Sequence, residues 1–200
     1  MPRKRLLVAG AVAALVIAVA AAVIGSKLIS APDASKPSAE DKSRGFVEFR
    51  DPRAGFSISH PRSWRRLPSA DGQVRLIVAG GGASLLVRTS SLGLRVRPET
   101  LSSAKKLTDR LVRAVKNVKL LRRAKQVQVG GLPGYLYLYT FRDIASGQRG
   151  AHAHYFLFRG ETMFTLVFQA LPATSFGGFA PLFDRITNTF QAQPEASGQR

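Results

Sequence analysis

The sequence predicts an α+β domain of antiparallel strands and flanking helices, preceded by a single N-terminal transmembrane helix. Three observations support this fold class. Residues 6–24 form an uncharged apolar run. Short β-type runs after residue 45 are separated by glycine-rich turns, as expected of hairpins. Two longer segments, 98–118 and 175–190, repeat apolar residues at helical spacing.

The apolar run reads LLVAGAVAALVIAVAAAVI and follows Arg3, Lys4 and Arg5. As a helix it would be about 28 Å long, close to the bilayer hydrocarbon thickness of about 30 Å. Cations immediately before the run favour a cytoplasmic N-terminus and export of everything after it. We therefore predict a basic cytoplasmic tip over 1–5 and a single-pass membrane anchor over 6–25, with the domain outside the cytoplasm.

A signal peptide that is cleaved on export is the alternative interpretation of this segment. Ala20, Ala21 and Ala22 supply the small residues found at cleavage sites. Val23 and Ile24 continue the apolar run past that point, which favours a retained anchor. The alternative also places the domain outside the cytoplasm, but as a secreted protein.

The composition is that of a basic chain that cannot form disulfides. Its 200 residues include 30 Lys and Arg against 12 Asp and Glu, a formal charge of +18, and no Cys. An exported fold without Cys depends on packing alone. The positive charge attracts polyanions, although a GC-rich genome, which favours Arg and Ala, would also produce such a charge without any binding role.

Residues 26–44 are rich in Ser, Pro, Ala and charge and lack aromatic side chains, so we predict a flexible tether. The globular domain then covers 45–190. Its only Trp, Trp64, is expected in the core or at its rim. Turn residues DPRAG and a Gly-Gly-Gly triplet separate two pairs of predicted strands, over 46–50 and 56–59 and over 74–79 and 83–89.

Residues 98–118 predict the clearest soluble helix. Pro98 and Glu99 suit its first turn. At about 100° per residue its apolar side chains fall on one face and its charges on the other. The apolar face comprises Leu101, Ala104, Leu107, Leu111, Val112, Ala114, Val115 and Val118.

A meander of strands and a closing helix complete the domain. Tyr135, Tyr137, Tyr139 and Phe141 alternate along one strand and therefore point to one face. Both faces of these strands are apolar, so both are expected to be covered. The predicted elements are strands 124–129, 135–142, 151–159 and 162–171, the helix 175–190, and a disordered tail over 191–200.

The segment FRDPRAGFSISHPRSW, residues 49–64, resembles the opening signature of the PsbP-like family. The matching residues are Asp51, Gly55, Phe56, Pro61 and Trp64. Residues 129–135, VGGLPGY, are also similar to that family. The resemblance implies an α-β-α sandwich over 45–190. It further implies a binding or assembly module and not an enzyme, and it places the chain with the uncharacterised bacterial exported members of the family.

Basic residues are concentrated between residues 95 and 125, a segment that contains eleven Lys or Arg residues and two Asp or Glu residues. We expect them to bind an acidic protein, anionic lipid headgroups or cell-wall polymer, and a solvated helix face is the alternative. Nucleic acid is not the expected polyanion, because the domain lies outside the cytoplasm and has no nucleic-acid-binding motif. The candidate binding residues are Lys105, Lys106, Arg110, Arg113, Lys116, Arg122 and Arg123.

A second hypothesis is a small-ligand or metal-binding domain that uses the aromatic strands. His152 and His154 are two residues apart on a predicted strand, so they share a face. They could bind Zn²⁺ or Cu²⁺ if His60 or Asp143 supplied a third ligand. Two buried histidines without a ligand are the alternative, and we predict no resident metal and no cofactor.

The sequence gives no support to an enzyme. It has no Cys nucleophile and no Gly-x-Ser-x-Gly motif. Its few acidic residues show no pairing suited to acid–base catalysis. We therefore expect a binding module.

Overall fold

A computed structural model describes residues 45–115, 117–144 and 146–194. The predicted tip, anchor and tether lie outside these residues, as does most of the predicted tail. Within the described ranges, no helix has the length and apolar character needed to cross a membrane.

The described chain consists mainly of β-strands with two flanking α-helices. Each helix follows a 3₁₀ turn, Pro98–Thr100 and Ala173–Ser175. The helices are α1 (Leu101–Arg113) and α2 (Phe176–Thr187). The strands are β1 (Phe46–Asp51), β2 (Phe56–Pro61), β3 (Arg65–Arg66), β4 (Val74–Gly80), β5 (Ala83–Val96), β6 (Lys119–Leu120), β7 (Lys125–Val129), β8 (Leu132–Arg142), β9 (Arg149–Ala170) and β10 (Gln191–Ala192).

The strands form two sheets in which all of the described pairings are antiparallel. The smaller sheet has the order β1-β2-β10. The larger sheet has the order β3-β4-β5-β9-β8. Both β6 and β7 pair with β8, at different points along its length, and thereby complete that side of the sheet.

Strand β9 folds back on itself as a hairpin. Fully extended, its 22 residues would span roughly 70 Å, yet His152 and Gln169 are hydrogen-bonded at 2.8 Å. Gly160 has a φ of +55° and marks the turn. The outgoing arm, 149–159, pairs with β8, and the returning arm, 162–170, pairs with β5. The prediction of two strands separated by Gly160 is confirmed.

Both faces of the larger sheet are covered, as predicted. On one face α2 and the smaller sheet pack against it, with the Phe183 ring 5.0 Å from that of Phe168. Trp64 is buried in this core. On the other face α1 packs Leu101, Ala104 and Val112 against the tyrosines of β8. The architecture is an α+β fold in which helices flank an antiparallel sheet.

Several elements differ from the predictions, and the end of α1 and the last strand differ most clearly. Helix α1 ends at Arg113 and not at 118, because Asn117 adopts a φ of +61° and the chain enters β6 at Lys119. Ala114, predicted on the apolar face, is exposed beyond the helix end. Gln191–Ala192, predicted as tail, pairs with β2 through main-chain hydrogen bonds, which require no apolar pattern.

Candidate functional site

Exposed basic side chains of α1 and of the β6–β7 segment form what we call the cationic surface. The described part of the chain provides no ion-pair partner for any of them. Five of the seven predicted binding residues belong to this surface, and the exceptions are Lys105 and Lys116. The surface comprises Lys106, Arg110, Arg113, Lys119, Arg122, Arg123 and Lys125.

Lys105 belongs to a different arrangement, and Lys116 lies outside the described residues. The Nζ of Lys105 is 2.8 Å from Oδ2 of Asp109. Burial opposes ionisation of Asp109, but hydrogen bonds from Lys105 and Tyr137 and the nearby positive charges outweigh it and lower its pKa. The charge of Lys105 is therefore balanced within the helix, while the remaining cations of α1 face solvent.

Contacts between α1 and β8 place the two parts of the cationic surface side by side. The hydroxyl of Tyr135 donates to the carbonyl of Leu101 at 3.2 Å, and that of Tyr137 lies 2.7 Å from Thr108 Oγ1. The axis of α1 therefore runs in the same direction as β8. Its last turn approaches the part of β8 where Leu120 pairs with Tyr139.

Two leucines interrupt the cations of this surface. Leu120 is 45% exposed and Leu121 is 54% exposed. They lie between Lys119 and Arg122, at the end of β6 and in the loop that leads to β7. Neither leucine was predicted to belong to a site, although two apolar residues directly between cations in the sequence are a signal typical of an interaction surface.

A buried hydrogen-bond chain crosses the sheet beneath α1. Nε2 of His152 is 2.8 Å from Oε1 of Gln169, and Nδ1 of His152 is 3.1 Å from the Tyr139 hydroxyl. That hydroxyl is 2.9 Å from Nδ1 of His154. With the Gln169 oxygen assigned toward His152, His152 donates to Gln169, Tyr139 donates to His152, and His154 donates to Tyr139. Nε2 of His154 is then an unprotonated acceptor.

Burial keeps this chain uncharged. It lowers the pKa of His152 to about 4, against a smaller opposing effect of the Gln169 hydrogen bond. Burial, assisted by repulsion from His152, also lowers the pKa of His154. Burial raises the pKa of Tyr139. The rings of Phe141 and Phe156 lie 4.2 Å from those of His152 and His154 and enclose the pair in aromatic surface.

Four buried polar atoms on this face have no hydrogen-bond partner within the described structure. They are Nε2 of His154, Nε2 of Gln169, Oγ of Ser84 and Oγ1 of Thr165. Ser84 is the register partner of Gln169 on β5. Buried polar groups are usually paired with protein, water or a ligand. The cluster therefore contains hydrogen-bonding groups that the described residues leave unsatisfied.

The predicted common face of His152 and His154 is confirmed, because both rings contact the Tyr139 hydroxyl. In the described ranges no group of three or more side chains is suited to hold a metal ion. Asp143 accepts hydrogen bonds from Ser146 instead. The remaining candidate third ligand, His60, contacts the carbonyl of its neighbour Pro61.

Neither a family model nor a curated protein sequence matches the chain. Several solved structures do. The solution structure of cyanobacterial PsbP (CyanoP) from Synechocystis has a TM-score of 0.53 and 12% identity, covering 74% of this chain and 92% of that one. The crystal structure of LpqN, described as involved in cell envelope biogenesis of Mycobacterium tuberculosis, has a TM-score of 0.53 and 13% identity, covering 82% and 100%.

A Bacteroides thetaiotaomicron crystal structure has a TM-score of 0.54 and 15% identity, covering 75% of this chain and 49% of that one. At such identities structural likeness shows the fold and not the function. The antiparallel order, the flanking helices and the match to PsbP agree with the expectation from residues 49–64. The chain has the PsbP-like fold.

Proposed function

We propose that this chain is an exported, membrane-anchored binding or assembly module whose cationic surface engages an anionic partner. The observation that carries the proposal is the set of exposed cations on α1 and the β6–β7 segment, which have no ion-pair partner within the described residues. Export is supported by the apolar run after Arg3, Lys4 and Arg5. It is also supported by a fold shared with LpqN, a protein linked to the cell envelope.

The local charge balance favours binding of a polyanion over simple solvation. Between residues 95 and 125 the only acids are Glu99 and Asp109, and Asp109 is paired with Lys105. Cations grouped within a Debye length, about 8–10 Å, add their fields, which raises the local concentration of a polyanion. A surface with interspersed acids would not have this effect.

The test is the binding of an anionic polymer to the full-length protein held in nanodiscs of neutral phosphatidylcholine, with long-chain polyphosphate as the probe. The double variant Arg110→Gln, Arg113→Gln is compared with Arg53→Gln, Arg65→Gln, which removes two exposed cations elsewhere. At about 0.7 kcal/mol per lost contact, we expect the first variant to bind about tenfold more weakly. Affinity should fall as salt increases.

Equal weakening in both double variants would contradict a localised surface, since it would show that net charge alone determines binding. Affinity that does not change between low and moderate salt would contradict the electrostatic basis. Circular dichroism of each variant controls for misfolding, which none of these exposed side chains should cause.

A second function, binding of a small uncharged polar molecule, is favoured by a different observation. Nε2 of His154 offers an acceptor and the Gln169 amide offers donors, and neither has a partner among the residues that the structure describes. The neutral state of His152 and His154 disfavours a charged ligand. A thermal-shift panel of neutral polyols and amides against carboxylates and phosphates tests this. We expect a neutral compound to raise the unfolding temperature of the protein, and we expect Gln169→Leu to abolish this increase. An increase with the carboxylates and phosphates alone would contradict this second function.

A further inference from the structure

We propose that one end of the domain docks directly on an anionic lipid bilayer, with Leu120 and Leu121 inserted among the headgroups and the adjacent cations bound to lipid phosphates. The inference rests on the proposed function and specifies lipid as the partner of the cationic surface. The end of the larger sheet that carries β6 is called the docking end below.

The register of the larger sheet places β6 at the end opposite the Gly160 turn. Because β9 is a hairpin, its first and last residues lie together, at the end away from that turn. The same row of the sheet continues across β8, both arms of β9 and β5 to β4, which lies next to the edge strand β3. Its paired positions are Lys119 with Thr140, Thr140 with Ala151, Ala170 with Ala83, and Ala83 with Gly80.

The chain enters the domain at this same end. The Trp64 ring packs beside Gly80, where an added Cβ would lie 2.7 Å from ring atom Cδ1. The Trp64 amide donates to the Pro61 carbonyl at 3.0 Å, and the Arg62 amide donates to the Gly45 carbonyl at 3.1 Å. The first described residue is therefore at the docking end, on the side opposite β6.

The predicted tether then sets the distance between the docking end and the membrane. If flexible, residues 26–44 have a root-mean-square span of about 25 Å. That is less than the diameter of a compact domain of this size, about 38 Å. A retained anchor with such a tether would hold the docking end close to the bilayer surface, so that contact with the membrane would cost little further entropy.

The side chains at the docking end have the composition of an interfacial membrane site. Membrane-surface segments combine apolar residues that enter the headgroup region with Lys and Arg that bind anionic lipids. Leu120 and Leu121 are about half exposed and lie between Lys119 and Arg122. A soluble polyanion would use the cations but would leave both leucines in water. Among the candidate partners, anionic lipid is the one that would contact both the cations and the two leucines.

The experiment exploits the absence of Cys, since one introduced Cys gives a unique label. Full-length protein carrying Leu121→Cys with an NBD fluorophore is reconstituted in vesicles of phosphatidylcholine alone or mixed with phosphatidylglycerol. Nitroxide-labelled headgroups quench NBD that reaches the membrane. The matched control is Leu94→Cys, which is 53% exposed and lies near Val96, the partner of Gly160 at the far end of the sheet.

We expect blue-shifted emission and at least about twofold stronger quenching at position 121 in the phosphatidylglycerol vesicles, with no change at position 94. Adding Arg122→Gln and Arg123→Gln should remove the effect of the anionic lipid. Equal quenching at both positions, or no quenching at position 121 in either vesicle, would overturn the inference. If polyphosphate still binds in a salt-dependent manner, that failure leaves the proposed function standing.

Discussion

The hydroxyl of Tyr137 donates a 2.7 Å hydrogen bond to Oδ1 of Asp109 and thereby joins the sheet to the helix that carries the cationic surface. The same carboxylate accepts from Lys105 at 2.8 Å. One of the two acids in the basic segment is thus used to hold α1 on β8. The solvent side of the helix remains positive as a consequence.

Replacing this acid should weaken the domain without weakening polyanion binding. Asp109→Asn removes the negative charge that strengthens the hydrogen bonds from Tyr137 and Lys105 in a partly exposed position, so we expect a loss of about 1–2 kcal/mol in the free energy of unfolding. Polyphosphate affinity should stay equal or rise, because a negative charge is lost. Chemical denaturation and the binding titration measure both effects. Glu48→Gln, which breaks the exposed pair with Arg50, serves as the control and should have little effect.

The Tyr139 hydroxyl is the central link of the buried histidine chain. Tyr139→Phe leaves both His152 Nδ1 and His154 Nδ1 without a partner in the interior. We expect the free energy of unfolding to fall by about 2–4 kcal/mol. The comparison is Tyr135→Phe, which loses one bond to a backbone carbonyl and should cost about 1 kcal/mol. Equal costs in the two variants would contradict the chain.

Stability should decrease in mildly acidic solution because of the buried histidines. In the unfolded chain a histidine binds a proton near pH 6.5, whereas folding lowers the pKa of His152 to about 4 and also lowers that of His154. The unfolded state therefore gains protons first as pH falls from about 6.5 toward 4, at a cost of about 3 kcal/mol for His152 alone.

Denaturant titrations at several pH values measure this dependence. The double variant His152→Gln, His154→Gln should have nearly constant stability across that range. An unchanged pH dependence in the double variant would show that other groups are responsible.

Alanine substitutions at two glycine positions should change the stability of the domain in opposite directions. A Cβ at Gly134 would overlap the carbonyl oxygen of Phe156 on the neighbouring strand, so Gly134→Ala should cost about 3 kcal/mol or more. A Cβ at Gly177 in α2 meets nothing within 4 Å. Gly177→Ala should therefore stabilise the helix by about 0.5–1 kcal/mol. Thermal unfolding of both variants is the measurement.

Elements with strong periodicity were predictable from the sequence, and elements held by main-chain pairing were not. The alternation of Tyr135, Tyr137 and Tyr139 identified β8, and Gly160 identified the turn within β9. Strands β3, β6 and β10 have two residues each, which is too short for any pattern. They form because neighbouring strands offer unpaired backbone groups.

The residues of the candidate sites were likewise predictable where they lie close together in the sequence, and not where distant strands bring them together. The cationic surface could be predicted from the clustering of basic residues in the sequence, because residues that are close in sequence stay close together on one helix. The pair of Lys105 with Asp109 follows the i, i+4 spacing of a helix, whereas the hydrogen bond from Tyr137 to Asp109 joins residues 28 positions apart and has no local signal. Spacing alone placed His152 and His154 on one face. Gln169, Thr165 and Ser84 joined that face only through strand register, which no local pattern encodes.

The central claim, that the cationic surface meets an anionic partner outside the cytoplasm, is most directly tested by photo-cross-linking in intact cells. A photoreactive amino acid replaces Arg113 in the full-length protein, and Arg53 in a control. We expect cross-links from position 113 to an anionic lipid, wall polymer or acidic protein, and we expect them to be lost when Arg110, Arg122 and Arg123 are changed to Gln. Identical products from both positions, or products unaffected by that change, would contradict this claim.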